Sequence, residues 1–191
     1  VYWGDTHLHS NLSMDANLAG NKTLSPSDAY RFAQGETVQS SSGINVKLLR
    51  PLDFLVVADH AINMGVFYSL EKSDPVLLKT QNGKRFVDIY KAILQKTADA
   101  SLFKKLYEED IAEITYRQSV WKSVAAQADK YNNPGKFTAF IGYEWTSVGS
   151  IPAGNLHRVI IFREGADKAT QVLPFSKYDS QNPEDLWHYL E

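Results

Sequence analysis

Residues 53–60 read DFLVVADH. Phe54 to Ala58 form an unbroken apolar run of strand length between two aspartates. A strand with one wet face alternates apolar with polar residues, whereas an unbroken run is covered on both faces, as in a parallel sheet. Val56 and Val57 are therefore expected to be shut away from solvent. The run stops at Asp59 and His60, and strand ends are where α/β sheets collect their functional groups.

Reading outward, the chain repeats this pattern. It opens on VYWGDTHLHSNLSMD (1–15), which predicts a strand over 1–7. On a strand, residues i and i+2 share a face, so His7 and His9 point together with Leu8 turned away. KFTAFIGYEW (136–145) predicts a third strand carrying Glu144 near its end, and HRVIIF (157–162) a fourth. His157 opens that fourth run, the wrong end for a parallel strand. Either it belongs to the preceding loop or the run returns antiparallel to the third strand.

Between the strands the signals are helical. SPSDAYRFAQGE (25–36) starts with Ser25 as cap, Pro26 next and Asp28 in the first turn. Residues 37–49 predict a small β-excursion around a Ser/Gly turn. Residues 65–131 are mostly helical in pattern, with Ile111, Ile114, Trp121, Val124, Ala125 and Ala128 as one apolar stripe over 110–131. NPEDLWHYLE (182–191) starts a helix on Asn182 and Pro183 and then stops. Strands alternating with helices define an α/β protein with a largely parallel sheet or barrel. The 191 residues suffice for one domain, and the abrupt end makes the chain read as the first part of a longer one.

Composition narrows the function. The formal charge is −2, from 20 Lys+Arg against 22 Asp+Glu, which is no nucleic-acid footprint. No apolar run approaches the ~20 residues of a membrane span, so no membrane partner is expected. The absence of cysteine excludes disulfides, thiolate nucleophiles and cysteine-held zinc. The chain begins at Val1, as a processed export signal or trimming would leave it, and this favours a periplasmic or extracellular setting over a cytoplasmic one.

Four of the five histidines (His7, His9, His60 and His157) sit at strand edges beside Asp15, Asp59 and Glu144. The fifth, His188, lies in the terminal helical pattern and reads as a surface residue. Taken singly each feature is bland: a His-x-His pair on a strand is usually just exposed, Asp59 could cap a helix, and Glu144 could be a solvated strand end. Together they point to a metal centre. Mixed imidazole and carboxylate ligands suit zinc, manganese or iron, and a glutamate can bridge two cations.

The ordered motifs DTHLHSNLSMDA, DFLVVADH, IGYE and NLHRVII resemble those of the PHP superfamily, named for polymerase and histidinol phosphatase domains. The surrounding wording is most similar to a bacterial branch of unknown function. The resemblance, which runs from Tyr2 to about Phe162, implies a distorted seven-stranded β/α barrel with two or three divalent metal ions at its rim. It implies His7, His9, Asp15, His60, Glu144 and His157 as metal ligands, with Glu144 as the bridge. Asp5 and Asp59 would orient ligand imidazoles, and Glu144, His60 and Asp59 are the catalytic candidates. The implied activity is hydrolysis of a small-molecule phosphoester by metal-activated water. Ala58 stands where the superfamily commonly has Thr. The family's later ligands, a His and an Asp-x-His pair, have no counterpart before Glu191, and four strands do not close a barrel. Two other readings are a barrel amidohydrolase, which also begins with His-x-His, and a metal-retaining binding module without catalysis.

Overall fold

The computed structural model describes residues 1–80, 82–97, 101–102, 105, 108–151 and 154–191. Its main sheet has four strands: β1 (Gly4–Leu8), β4 (Phe54–Val57), β5 (Thr138–Ile151) and β6 (Gly154–Phe162). They lie in the order β1-β4-β5-β6 and curl into half a barrel. β1, β4 and β5 run parallel, while β6 returns antiparallel to β5. A small antiparallel pair, β2 (Val38–Gln39) and β3 (Asn45–Val46), occupies the predicted excursion.

β4 is the buried spine. Val56 and Val57 are 0% and 1% exposed, and Leu55 is equally enclosed. Leu55 and Val57 pack into the larger apolar cluster, which also takes in Tyr30 and Ala33 of α2 (Pro26–Ala33). The same cluster holds Trp121, Val124, Ala125 and Ala128 of the long helix Ile114–Tyr131. Val56 faces the other way, towards Gly142 of β5, where a Cβ would lie 2.6 Å from Val56 Cγ1 and 2.7 Å from the Ile160 carbonyl oxygen. Only glycine fits between them.

The helix α2 starts where its sequence says. The Ser25 side chain accepts from the Asp28 amide and the Asp28 carboxylate accepts from the Ser25 amide, a reciprocal cap that satisfies two otherwise orphaned donors. Ser25→Ala is expected to destabilise the protein by about 1 kcal/mol, read as a lower urea midpoint with an unchanged slope. Asn182 caps the terminal helix Pro183–Leu190 by a single bond, its side chain accepting from the Glu184 amide. His188 on that helix is exposed, 3.7 Å from Glu191.

The helical insertion between β4 and β5 has a core of its own. The helices α3 (Val66–Lys72), α4 (Pro75–Leu78) and α5 (Gly83–Leu94) bury Phe67, Leu70, Leu77, Phe86 and Tyr90 against Ile111 and Tyr116. Two features depart from the sequence expectation. Ile111 is buried but precedes the long helix, and Ile114, its first residue, is 62% exposed. Ile114 has the right helical phase yet is exposed, whereas Tyr116 in the same turn is buried in the second cluster, so phase alone does not decide burial. The β5–β6 hairpin is also longer than the runs 136–145 and 157–162, because the two strands pair with each other from Ile141–Phe162 to Ile151–Gly154. His157 therefore lies inside β6 and not in a loop before it.

Candidate metal centre

Backbone register brings the polar residues together. The ladder of β4 on β5 continues past Val57 and Ile141 to set His60 beside Glu144. On β5, Glu144 and Thr146 share a face by alternation. Across the hairpin Thr146 pairs directly with His157. β1 supplies His7 and then His9 just beyond its end, and its pairing with β4 slips between Asp5 and Leu8. Such a bulge re-aims side chains and leaves a ladder group free. Here the His7 amide donates to Asp5 Oδ1 at 2.7 Å, so Asp5 serves the bulge backbone, and among the described residues it hydrogen-bonds no imidazole.

The Glu144 carboxylate is the floor of the cluster and is buried. Its Oε2 lies 2.8 Å from His9 Nε2, 3.0 Å from His7 Nε2 and 3.2 Å from His60 Nδ1. None of the three is aligned to hydrogen-bond it. Its Oε1 accepts from the Thr146 hydroxyl at 2.9 Å and is in close contact with His157 Nδ1. Asp15, on the short helix α1 (Met14–Leu18), reaches His9 Nδ1 at 3.0 Å and His60 Nε2 at 3.6 Å. The Ser13 hydroxyl, just before α1, donates to Asp15 at 2.7 Å and accepts from the His60 amide at 3.3 Å. All six residues expected to be ligands thus meet in one place.

Asp59 lies on the opposite face of the strand path, in phase with Leu55 and Val57. Its two oxygens accept from the Ser10 amide and hydroxyl, both at 2.6 Å, tying the turn after His9 to the end of β4. It is buried, and among the described residues its hydrogen bonds go to Ser10 and to no imidazole; alternation turns it away from its neighbour His60. Burial pushes its carboxyl up to about 6 against the Ser10 hydrogen bonds that hold it down. Two participants escaped the sequence reading, Ser13 and Thr146. Thr146 was signalled by strand alternation from Glu144, but the predicted strand ended at 145.

Two sets of donors could each hold a cation: His7, His9 and Glu144, and His9, Asp15 and His60, the ligand atoms of each lying within 4.8 Å of one another. They share His9, and a neutral imidazole has one lone pair to give. With Asp15 accepting at Nδ1, His9 offers Nε2 to the first set, and Asp15 orients it as carboxylates orient metal-bound histidines. The donor chemistry fits a divalent cation. Imidazole lone pairs crowded on a buried, unpartnered carboxylate oxygen repel unless a cation or protons lie among them.

Without a cation, protons take that part. Burial disfavours a charged His9, yet the carboxylates of Asp15 and Glu144 outweigh it and push His9 up to about 10 from its ordinary 6.5. Burial likewise opposes ionisation of both carboxyls. His60, His9 and the Ser13 hydroxyl hold Asp15 well below the usual range. For Glu144, His9, His60, His7 and Thr146 do the same. His9 thus contributes stability that is full below pH 6.5 and lost as pH rises through about 10. The carboxylates contribute above their ordinary 3.8 and 4.5 and lose it as pH falls through their depressed values. The metal-free cluster therefore stabilises the fold most between pH 4.5 and 6.5. A cation must displace the His9 proton, so zinc affinity should rise by up to about tenfold per pH unit until pH reaches about 10, where His9 gives up that proton unaided. Titration calorimetry in buffers of different ionisation heat, showing about one proton released per zinc, checks this; no release would contradict it.

A four-stranded mixed α/β half-barrel with a histidine–carboxylate cluster at the rim is the class that fold and site define. The family model of DUF3604, a protein family of unknown function, matches residues 1–191, and the chain belongs to that family. No curated protein and no solved structure matches it. Among the described residues, no helix is long and apolar enough to cross a membrane.

Proposed function

We propose that the cluster is a divalent-metal centre and that the protein is a metal-dependent hydrolase of phosphoesters, in keeping with the resemblance of its motifs to the PHP superfamily. The observation that carries the reading is Glu144 Oε2: a buried oxygen with no hydrogen-bond partner, faced by three imidazole nitrogens within 3.2 Å. His7, His9 and Glu144 would hold one ion, Asp15 and His60 would serve another, and Glu144 with His157 would lie at the bridge. When bound, zinc, manganese or iron supplies Lewis acidity, which lowers the pKa of water and offsets charge on a phosphoryl group.

The chain's own residues supply the rest. The Glu144 floor is buried, whereas the His7 and His157 side chains are 45% and 43% exposed, so a substrate reaches the cluster from their side. Asp59 acts through Ser10, holding the turn that carries His9. Asp15 and Ser13 fix the His9 ring, which limits the reorganisation needed when a ligand arrives. A groove of about 330 Å³ beside α2 and α3 contains none of the six residues and has no part in this reading.

The test is elemental analysis of the full-length protein together with turnover of a chromogenic phosphodiester, with and without added manganese or zinc. Two or three ions per chain with metal-dependent turnover is the expected result. Bound metal without turnover under any condition would favour the binding-module reading, and protein that takes up no metal would sink the metal centre itself.

A further inference from the structure

We propose that the Thr146 hydroxyl is a positioning group that sets the tautomers of His60 and His157, keeping both rings protonated at Nδ1 and leaving both Nε2 lone pairs free. Thr146 is 3% exposed and sits at the hub of the cluster. Its Oγ1 is 2.9 Å from Glu144 Oε1, 3.0 Å from His60 Nδ1 and 3.2 Å from His157 Nδ1. A hydroxyl has one proton to donate and two lone pairs with which to accept. An ionised carboxylate only accepts, so the single proton goes to Glu144. The two lone pairs then face the two Nδ1 atoms, and each of those must bring a hydrogen.

The opposite assignment fails on the same count. If the hydroxyl donated to either imidazole, its lone pairs would face Glu144 Oε1 at 2.9 Å in a buried site, where an unpaired polar contact is costly. His157 supports the assignment independently, because its Nδ1 is also in close contact with Glu144 Oε1, an atom that can only accept. On His60 the consequence is directional: the freed Nε2 is the atom that faces Asp15, 3.6 Å away. Register makes the device possible, since Thr146 pairs with His157 across the hairpin while Glu144 pairs with His60 along the parallel ladder.

The tautomer assignment stands on hydrogen-bond geometry, whereas its consequence for cation binding rests on the metal-centre reading. Both are tested on ring-15N-histidine-labelled protein, chelated free of metal and buffered at about pH 8, above the ordinary imidazole range. Long-range proton–nitrogen correlations report which ring nitrogen is protonated. The wild-type protein should show Nδ1–H at His60 and His157. Thr146→Val keeps the shape and removes the hydroxyl, and should move at least one ring to Nε2–H; Thr146→Ser should restore the wild-type pattern. Zinc affinity should fall by about 10–100-fold in Thr146→Val and recover in Thr146→Ser, the usual cost of losing a group that orients a ligand histidine. Nε2–H at either ring of the wild-type protein would overturn the assignment, and this measurement requires no variant to fold. Nδ1–H at both rings in a protein that binds no zinc would uphold the assignment and sink the metal reading alone. Wild-type zinc affinity in Thr146→Val would overturn the positioning role.

Discussion

Glutamine in place of Glu144 is expected to cost the protein more than ~100-fold in zinc or manganese affinity and, on the proposed function, to remove turnover of a phosphodiester. Loss of a merely supporting residue costs ~10–100-fold, and Glu144 Oε2 is the atom on which three imidazoles converge. The substitution keeps size and shape, and the new amide can donate to the imidazoles that crowd Oε2, so the chain should still fold. What disappears is the negative charge. His9 loses one of the two carboxylates that hold its proton, and should titrate closer to its ordinary 6.5. Titration calorimetry with a circular-dichroism melt of the metal-free protein separates the two effects. A Glu144→Gln protein that binds metal as tightly as wild type would strip Glu144 of the central role given to it here.

Val57→Asp should abolish soluble, cooperatively folding protein. Val57 is 1% exposed, in the central part of the sheet with β1 on one side and β5 on the other. Its side chain packs into the larger apolar cluster with Tyr30 and Trp121 as fellow members. A carboxylate there would be an unpaired buried charge, which costs several kcal/mol even after relaxation. A domain of this size has only about 5–15 kcal/mol in total. Neutralising the new carboxyl by protonation lessens the cost without removing it, since a buried hydroxyl still needs a partner. Soluble yield and a thermal transition are the measurements, and a cooperative melt near that of wild type would show that β4 is not the enclosed spine described.

How far the candidate site could be read in advance follows from what each residue depends on. Asp59 was legible as a polar residue at the end of β4, but its hydrogen-bond partner was not. Which way it faces depends on alternation from Val57, and its partner Ser10 is fixed by the turn after β1, 49 residues away. Thr146 was in view two positions beyond Glu144, but knowing that β5 runs on to Ile151 requires knowing that β6 returns to pair with it. Ile114 had the right phase on its helix and is exposed all the same. In each case packing between separate segments decides.

Sequence by itself determined what short-range physics controls. An unbroken apolar run marks a strand covered on both faces, Ser25 with Asp28 forms its cap from atoms three residues apart, and the two-residue period sends His7 and His9 to one side. Tertiary structure alone decided that β6 returns antiparallel. It decided too that parallel register sets His60 beside Glu144, and that the β1 bulge draws on Asp5. It also converted four separate strand ends into one buried carboxylate oxygen ringed by imidazoles. The division has one cause: helix caps and side-chain alternation are settled by the local backbone, whereas register and convergence depend on which distant segments lie side by side.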